Sequence, residues 1–317
     1  MTRTPGLIAL RPLRHACHAC GACCEGWRIR FVDPAEEARI VRHGAALGVE
    51  RPVEGGALRM VDGRCVFLDE RKLCRIHAAF GLSEKPKVCQ QFPKRATLAE
   101  DGYRVGLDPA CVSTAKTWRD GPEIEPLPAM QEERRLDPEI AASERGLIGL
   151  TLMPDASVAR FVGHLTGDAR AVPELPRPFA QRLVKALAVF DLKAQLAGPA
   201  SGASEDLRAR LAHVPPRLMQ LDMQRPPAWR GVLPPALDAF ALEVLRRHLF
   251  LRLGDPLVPP FAQALLVVLG VTACAWADPS PATFPGALSS WARLVRSSSF
   301  WGALLPDSEH ARWLVTG

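Results

Sequence analysis

The N-terminus lacks the apolar core of a secretory signal, because its only apolar patch covers residues 7–10. We therefore expect a cytoplasmic protein. A reducing cytoplasm disfavours disulfides. The odd total of nine cysteines and the adjacent pair Cys23 and Cys24 also fit a disulfide framework poorly. The sequence therefore favours cysteines that bind metal.

The chain also lacks any run of Lys and Arg interleaved with aromatic residues, and it has no internal repeat. Its formal net charge is +6, and residues 1–120 hold the whole excess, with 20 Lys and Arg against 14 Asp and Glu. A centre held by four thiolates is itself negative and needs positive charge nearby. Nucleic-acid binding is therefore disfavoured, and the basic excess is better explained as balancing such a centre.

One uncharged stretch, residues 257–277, reaches the short end of membrane-spanning length. Pro259 and Pro260 stand at its start, and Gln263 and Gly270 interrupt it. We expect a buried helix of a soluble domain and no transmembrane span.

The cysteines themselves are clustered, since eight lie between Cys17 and Cys111 and only Cys274 lies beyond. The first motif, Cys17-His-Ala-Cys20-Gly-Ala-Cys23-Cys24, contains two consecutive Cys-x-x-Cys steps and a vicinal cysteine. Two-residue spacing lets a tight turn direct two sulfurs to one metal, and glycine relieves the steric cost of that turn. This pattern predicts a metal site.

Four further cysteines complete the predicted set of ligands, which is Cys17, Cys20, Cys23, Cys24, Cys65, Cys74, Cys89 and Cys111. Eight sulfurs can fill two four-coordinate sites, or one site with spare thiols. Zinc and an iron–sulfur cluster both accept four thiolates, so the ligands alone do not choose the metal. His77 could replace one sulfur, but we favour a role facing solvent or capping a short helix. Cys274 is interpreted as an inert core residue.

The predicted fold is mixed: a small irregular cysteine-rich metal-binding module (1–120), a proline-rich linker (121–128) and an all-α helical domain (129–317). In the module, the alternating residues 27–31 predict a strand. Asp33 caps a helix that ends at Gly44. The turn at residues 62–63 predicts a hairpin.

The apolar residues of the second part repeat with helical periodicity. This periodicity predicts one helix over residues 181–196. A second helix should carry Leu237, Phe240 and Val244 on one face.

Three segments carry a family resemblance: Cys17 to Cys24, then Cys65-Val-Phe-Leu-Asp69 with Leu73-Cys74-Arg-Ile-His77, and Pro86-Lys-Val-Cys89-Gln-Gln-Phe-Pro93. They resemble the YkgJ-type cysteine-cluster family of zinc- or iron-chelating proteins. The stretch after His77 is closer to the flagellin lysine N-methylase branch. The resemblance implies a metal role for the seven cysteines up to Cys89, with Cys111 as a further candidate.

Two functions follow from this sequence. The first is a metal-binding protein that holds zinc or an iron–sulfur centre through its clustered thiolates. The alternative, implied by the resemblance, is a lysine N-methyltransferase that uses S-adenosylmethionine on a protein substrate. The usual Gly-rich strand-to-helix turn of a nucleotide site is absent. Glu243, an acidic candidate in the helical half, is better explained as part of a solvated helix face. The sequence assigns no catalytic residue, no substrate and no oligomeric state.

Overall fold

The structure is a computed structural model of the 317-residue chain. It describes residues 6–25, 29–125, 131–166, 174–177, 181, 183–185, 214–224, 228–254 and 258–296. Within these residues, short strands and small sheets dominate the first part and helices dominate the second, which confirms the mixed fold predicted above.

The cysteine-rich part consists of short elements joined by turns. Its strands are β1 (Leu7–Ile8), β2 (Leu13–Arg14), β3 (Val53–Glu54), β4 (Ala57–Leu58), β5 (Met60–Val61), β6 (Arg64–Cys65), β7 (Lys94–Ala99), β8 (Gly102–Leu107) and β9 (Glu123–Ile124). Its helices are α1 (Pro34–Ala46), α2 (Arg75–Phe80), α3 (Lys87–Gln91) and α4 (Val112–Thr117), with 3-10 turns at Ala22–Cys24 and Leu82–Glu84.

The second part is mainly helical, with a few short strands. Its helices are α5 (Pro138–Leu152), α6 (Val158–Thr166), α7 (Val214–Asp222), α8 (Pro235–Phe250), α9 (Pro260–Ala277) and α10 (Phe284–Leu294), and its strands are β10 (Gln131–Glu133), β11 (Glu174–Pro176) and β12 (Ala228–Arg230). The pair β11 and β12 is antiparallel, so this part is not purely helical.

Helix α1 begins where the sequence predicts. The Asp33 side chain accepts a hydrogen bond of 2.7 Å from the Glu36 backbone N–H, and Pro34 occupies the first turn. Glu36 is 1% exposed, and its carboxylate accepts hydrogen bonds from the backbone N–H groups of Val32 (2.7 Å) and Lys87 (2.5 Å). The hydrogen bond from Lys87 connects α1 to the start of α3. The helix continues to Ala46, two residues beyond the predicted end at Gly44.

Three other sequence predictions concern strands and a helix. The predicted hairpin forms, with Met60 opposite Cys65 across a turn in which Asp62 and Gly63 both have positive φ. Of the predicted strand at 27–31, the first two residues lie outside the described part of the chain. Arg30 forms an isolated bridge with Ala57. The helix predicted over 181–196 falls almost wholly outside the described residues.

A four-stranded sheet joins the two parts of the chain, in the order β1-β8-β7-β10. Strands β7 and β8 form an antiparallel hairpin, whereas β1 and β10 add to its edges in parallel. Strand β9, inside the predicted linker, pairs with β2. The boundary at 121–128 remains a prediction, and the chain on both sides of it contributes to this sheet.

The helical part surrounds a large apolar core in which α8, α9 and α10 pack together. The predicted helix that carries Phe240 and Val244 is α8, and it is buried on nearly every side rather than along one face. Helix α9 meets the length and hydropathy of a membrane span, but 83% of its apolar window is buried inside the protein. That burial supports the prediction of a core helix.

Buried ion pairs also connect the two parts. Glu144 on α5 accepts hydrogen bonds from Arg104 on β8 (2.5 Å) and from Arg252 after α8 (2.8 Å). Arg252 also binds Glu100 at 2.6 Å. Buried charges are tolerated only when they are paired in this way. The helical part therefore packs directly on the sheet of the cysteine-rich part.

Candidate metal centre

The first cysteine motif forms a tight loop whose shape depends on Gly21. Gly21 has φ +73°, and a Cβ there would lie 2.9 Å from the Cβ of Lys72. The Cys24 N–H donates to the Gly21 carbonyl at 2.7 Å, which closes the 3-10 turn Ala22–Cys24. Only glycine adopts this conformation without strain. The sequence prediction of a glycine-dependent turn at Gly21 is confirmed.

Side chains from distant elements hold this loop. Arg293 on α10 donates to the carbonyls of Ala22 (2.6 Å) and Glu25 (3.1 Å), and both bonds are buried. The loop is therefore attached to the helical part of the protein.

A second attachment reaches α4, on the other side of the motif. The backbone N–H of Ala16 donates to the Thr117 hydroxyl at 3.3 Å, and that of His18 donates to the Ser113 hydroxyl at 3.2 Å. These bonds place the first residues of the motif along α4, the helix that begins immediately after Cys111.

Three cysteines from later elements and two from the loop make one group, which we call the inner thiols: Cys23, Cys24, Cys65, Cys74 and Cys89. Cys65 ends β6, Cys74 immediately precedes α2 and Cys89 lies in α3. All three, together with Cys24, belong to or pack against one small core that includes Ile40. The Cys23 and Cys24 sulfurs are 3.9 Å apart.

The acidities of the inner thiols depend on one another. The pKa of Cys23 is lowered to about 6, first because it shares a hydrogen bond with Cys24 and then because Lys85 and Arg293 lie nearby. The same hydrogen bond, together with burial, raises the pKa of Cys24. Charges on Cys65 and Cys89 raise it further. These five sulfurs therefore share one electrostatic environment.

Burial is the main cause of the shifts at Cys65 and Cys89. It raises the pKa of Cys65 to about 12, and it also raises the pKa of Cys89. Charge on each of the two sulfurs is also disfavoured by charge on Cys74 and Cys23, whereas Lys85 favours it. A group of buried thiols near one ammonium cannot all ionise unless a further cation enters.

The remaining three predicted ligands form the outer thiols: Cys17, Cys20 and Cys111. Cys17 is exposed, whereas Cys20 and Cys111 are half-buried. The Cys17 sulfur accepts a hydrogen bond of 3.4 Å from the Ala19 N–H. Burial raises the pKa of Cys111, and charge on Cys23 raises it slightly further. Charge on the inner thiols therefore affects Cys111.

The cysteines form no disulfide in this structure. All nine cysteines are free thiols. Among the described residues, no three His, Cys, Asp or Glu side chains are gathered as closely as a metal ion requires. A cavity of about 430 Å³ lies beside Cys65, with Arg59 and Arg64 in its wall. The structure thus brings the inner thiols into one region without closing a coordination shell, and the role of each predicted ligand stays a prediction.

Two side chains kept out of the ligand set lie where the sequence analysis expected. His77 is exposed on α2, and the Gly81 N–H donates to its carbonyl at 3.1 Å. Cys274 is 1% exposed within α9 and belongs to the apolar core.

The interpretation of Glu243 as part of a solvated helix face is wrong. Its side chain is only 6% exposed, and it binds Arg246 at 2.6 Å and Arg247 at 2.7 Å. The acidic residue is buried because these two arginines on its own helix, three and four positions further on, neutralise it.

Two cations of the site were missed at the sequence level. Lys85 had a local signal, because it lies in the segment Lys85-Pro86-Lys87 just before Cys89. Arg293 had none, because its contact with the loop joins residues 268 and 271 positions apart. Both contribute to lowering the pKa of Cys23.

These features define a cysteine-rich module whose donors are those of a thiolate metal site. Comparison with known families agrees: residues 16–112 match the family described as "CxxCxxCC: Putative zinc- or iron-chelating domain". This segment is therefore similar to the cysteine-cluster domains of that family. No curated protein and no solved structure shows significant similarity to the chain.

Proposed function

We propose that the protein binds zinc or an iron–sulfur cluster through the inner thiols, and that this centre stabilises the cysteine-rich part of the chain. The observation that carries the proposal is that Cys24, Cys65, Cys74 and Cys89 belong to or pack against one small core. Thiolate is the ligand type that zinc and iron–sulfur clusters share.

The chemistry of the donors fits such a group. Buried thiols have raised pKa values because a negative charge is costly where they lie. A bound cation reverses that cost and deprotonates a coordinating thiol outright. Lys85 and Arg293 add positive charge that offsets part of the excess charge of four thiolates.

The small size of the core around the inner thiols supports coupling between metal binding and folding. The small core contains, in the described part of the chain, six buried side chains, of which Cys65 is one. A core of this size stabilises a domain weakly, and small domains commonly depend on a metal for that reason. A bound metal would link the separate turns that carry the sulfurs.

The outer thiols extend the same centre or form a second one. Cys17 and Cys111 lie on elements joined by the hydrogen bonds to Ser113 and Thr117. Metal stoichiometry separates the two arrangements, because a second site would double the number of zinc ions or clusters per chain.

Metal analysis of the full chain tests the proposal. Protein purified anaerobically should contain zinc or iron in fixed ratio to the chain, and iron–sulfur protein should also contain sulfide and be brown. In the variants Cys65→Ala and Cys89→Ala, the metal content should fall at least about tenfold, because one ligand of the inner group is lost.

Cys274→Ala is the matched control, since it also removes a buried thiol but from the core of α9. It should retain the wild-type metal content. Unchanged metal in both inner variants would contradict the proposal. Loss of metal in Cys274→Ala would show that general destabilisation, and not ligand loss, explains the result.

We further propose that the protein works in the cytoplasm, where its thiols stay reduced. The lysine N-methyltransferase alternative, with S-adenosylmethionine as its cofactor, remains a prediction from sequence resemblance. Titration of the purified chain with S-adenosylmethionine tests it directly.

A further inference from the structure

A cleft of about 530 Å³ lies between the N-terminal segment and the helical part, away from the inner thiols. Its volume is in the range of small-molecule sites. Its walls come from the ends of β2, α4 and α5 and from one side of α8. The lining residues that matter below are Arg11, Arg14, Trp118, Arg119, Leu242 and Arg246.

The side chains that line this cleft carry only positive charge. Four arginines line it, and none of its lining residues is Asp or Glu. Arg246 is fixed by the Thr151 hydroxyl at 3.1 Å and by Glu243 at 2.6 Å. Glu243 also binds Arg247, and Arg14 pairs with Glu123 at 3.5 Å, so two carboxylates face five guanidinium groups. The cleft therefore keeps a positive potential after its internal pairs are counted.

Two of the arginines present their charge to the open space. The side chain of Arg11 is 49% exposed, and its nearest carboxylate is the already paired Glu243 at 3.9 Å. Arg119 is exposed and stacks on Trp118, with 4.6 Å between the guanidinium carbon and the ring centroid. Guanidinium groups in this setting bind carboxylate or phosphate through two parallel hydrogen bonds.

The other walls are apolar. Trp118 is half-buried, and Leu242 on α8 is 5% exposed. An aromatic ring beside aliphatic side chains accepts a flat apolar group. An inorganic ion would make no contact with this apolar wall. The cleft thus combines an anion-binding end with an apolar wall.

We propose that this cleft binds a small organic anion. Its carboxylate or phosphate is held by Arg11 and Arg119, and its flat apolar group lies against Trp118 and Leu242. This site is independent of the metal centre, because none of the eight predicted ligands lines it.

Calorimetric titration of the full chain, as purified, tests the site with four probes: phenyl phosphate, benzoate, benzyl alcohol and inorganic phosphate. We expect phenyl phosphate or benzoate to bind at least about tenfold more tightly than benzyl alcohol and inorganic phosphate. Whichever of the two binds more tightly identifies the anionic group.

The double variant Arg11→Gln/Arg119→Gln should weaken that binding at least about tenfold, because two charge-assisted contacts are lost. Both side chains are exposed, so the fold should persist. Arg135→Gln is the control, since Arg135 is 60% exposed and pairs with Glu133 outside the cleft. It should bind as the wild type does.

Three results would overturn the proposal. Benzyl alcohol could bind as tightly as the aromatic anions, which would remove the role of charge. Inorganic phosphate could match phenyl phosphate, which would remove the role of the apolar wall. Binding could also persist unchanged in the double variant while that variant unfolds at the wild-type temperature.

Discussion

Different interactions stabilise the cysteine-rich part and the helical part of the chain. The helical part packs aliphatic side chains of α8, α9 and α10 into one large core, in which Leu266 and Ala292 are fully buried. The cysteine-rich part has a much smaller core, to which thiols contribute directly. Apolar burial stabilises the first without a cofactor. Under the function proposed above, the second part depends on a metal to become comparably stable.

This difference explains why charges are used differently in the two parts. Near the thiols, Lys85 and Arg293 lie close to Cys23 and favour its thiolate form. Where the two parts meet, Glu144 pairs with both Arg104 and Arg252 without any metal. The following experiments test this contrast, starting with the largest expected effect.

Removal of the metal should affect the cysteine-rich part alone. After treatment with a chelator under reducing conditions, amide hydrogens of α1, β5 and β6 should exchange at least about a hundredfold faster. Amides of α9 should keep their protection, since its core contains no ligand. Hydrogen exchange with mass spectrometry measures both in one sample. Equal loss of protection in both parts would show that they unfold as one unit.

Glu144→Ala should weaken the contact between the two parts. It leaves Arg104 and Arg252 buried near one another without their shared carboxylate, and such a change costs about 3 to 5 kcal/mol. Urea denaturation followed by circular dichroism measures the free energy of unfolding. Glu133→Ala removes a carboxylate that is 63% exposed and should change stability by less than about 1 kcal/mol. A similar small loss for Glu144→Ala would mean that the parts are not joined there.

Asp108, which follows β8, pairs with Arg296, which follows α10, at 2.6 Å. Asp108→Asn should make this contact between the two parts insensitive to acid. Burial alone would raise the pKa of Asp108, but Arg296 and Arg95 outweigh burial and lower the pKa to about 2. A carboxylate with a lowered pKa stabilises the fold above its unfolded value, and this contribution, about 2 kcal/mol, disappears as pH falls from about 4 to 2. The wild type should lose that much relative to the variant over this window.

Other groups also titrate on acidification, His248 and Glu100 among them, and the comparison with the variant removes most of their effect. Burial lowers the pKa of His248 to about 3, so its charging destabilises the fold as pH falls below about 6.5. The pKa of Glu100 is lowered to about 2, because Arg252 and the Leu136 N–H outweigh the effect of burial. Parallel acid denaturation curves for wild type and Asp108→Asn would contradict the prediction.

The smallest effect comes from a matched pair of substitutions, Ile40→Val and Ile148→Val. Ile40 lies in the small core and Ile148 in the large one, and both are buried. Each should cost about 1 kcal/mol. Ile40→Val alone should also speed the loss of metal to a chelator, which is measured by the release rate. Equal release rates in the two variants would show that the cores are not independent.

Much of the fold could be predicted because its signals are local. Asp33 and Pro34 begin α1, the turn at Asp62 and Gly63 sets the β5–β6 hairpin, and the pattern around Phe240 predicts α8. Each of these depends on residues within a few positions of one another.

The joints between the parts could not be predicted, because they depend on distant partners. The sequence around Glu243 is typical of a solvent-exposed helix face, but in the fold the side chain is buried and pairs with Arg246 and Arg247. Nothing near Glu144 in the sequence indicates Arg104 or Arg252, which are 40 and 108 residues away. For the candidate site, spacing identified the thiols, but only the structure separates inner from outer members.

The contacts of Arg293 have a consequence for synthesis of the protein. Its hydrogen bonds reach back 271 residues to Ala22 and 268 residues to Glu25. Ribosomes add about 5 to 20 residues per second, so the cysteine loop emerges well before its anchor exists. A metal ion bound during translation would be held by the cysteine sulfurs alone. Arg293 could fix the cysteine loop only after α10 had been synthesised.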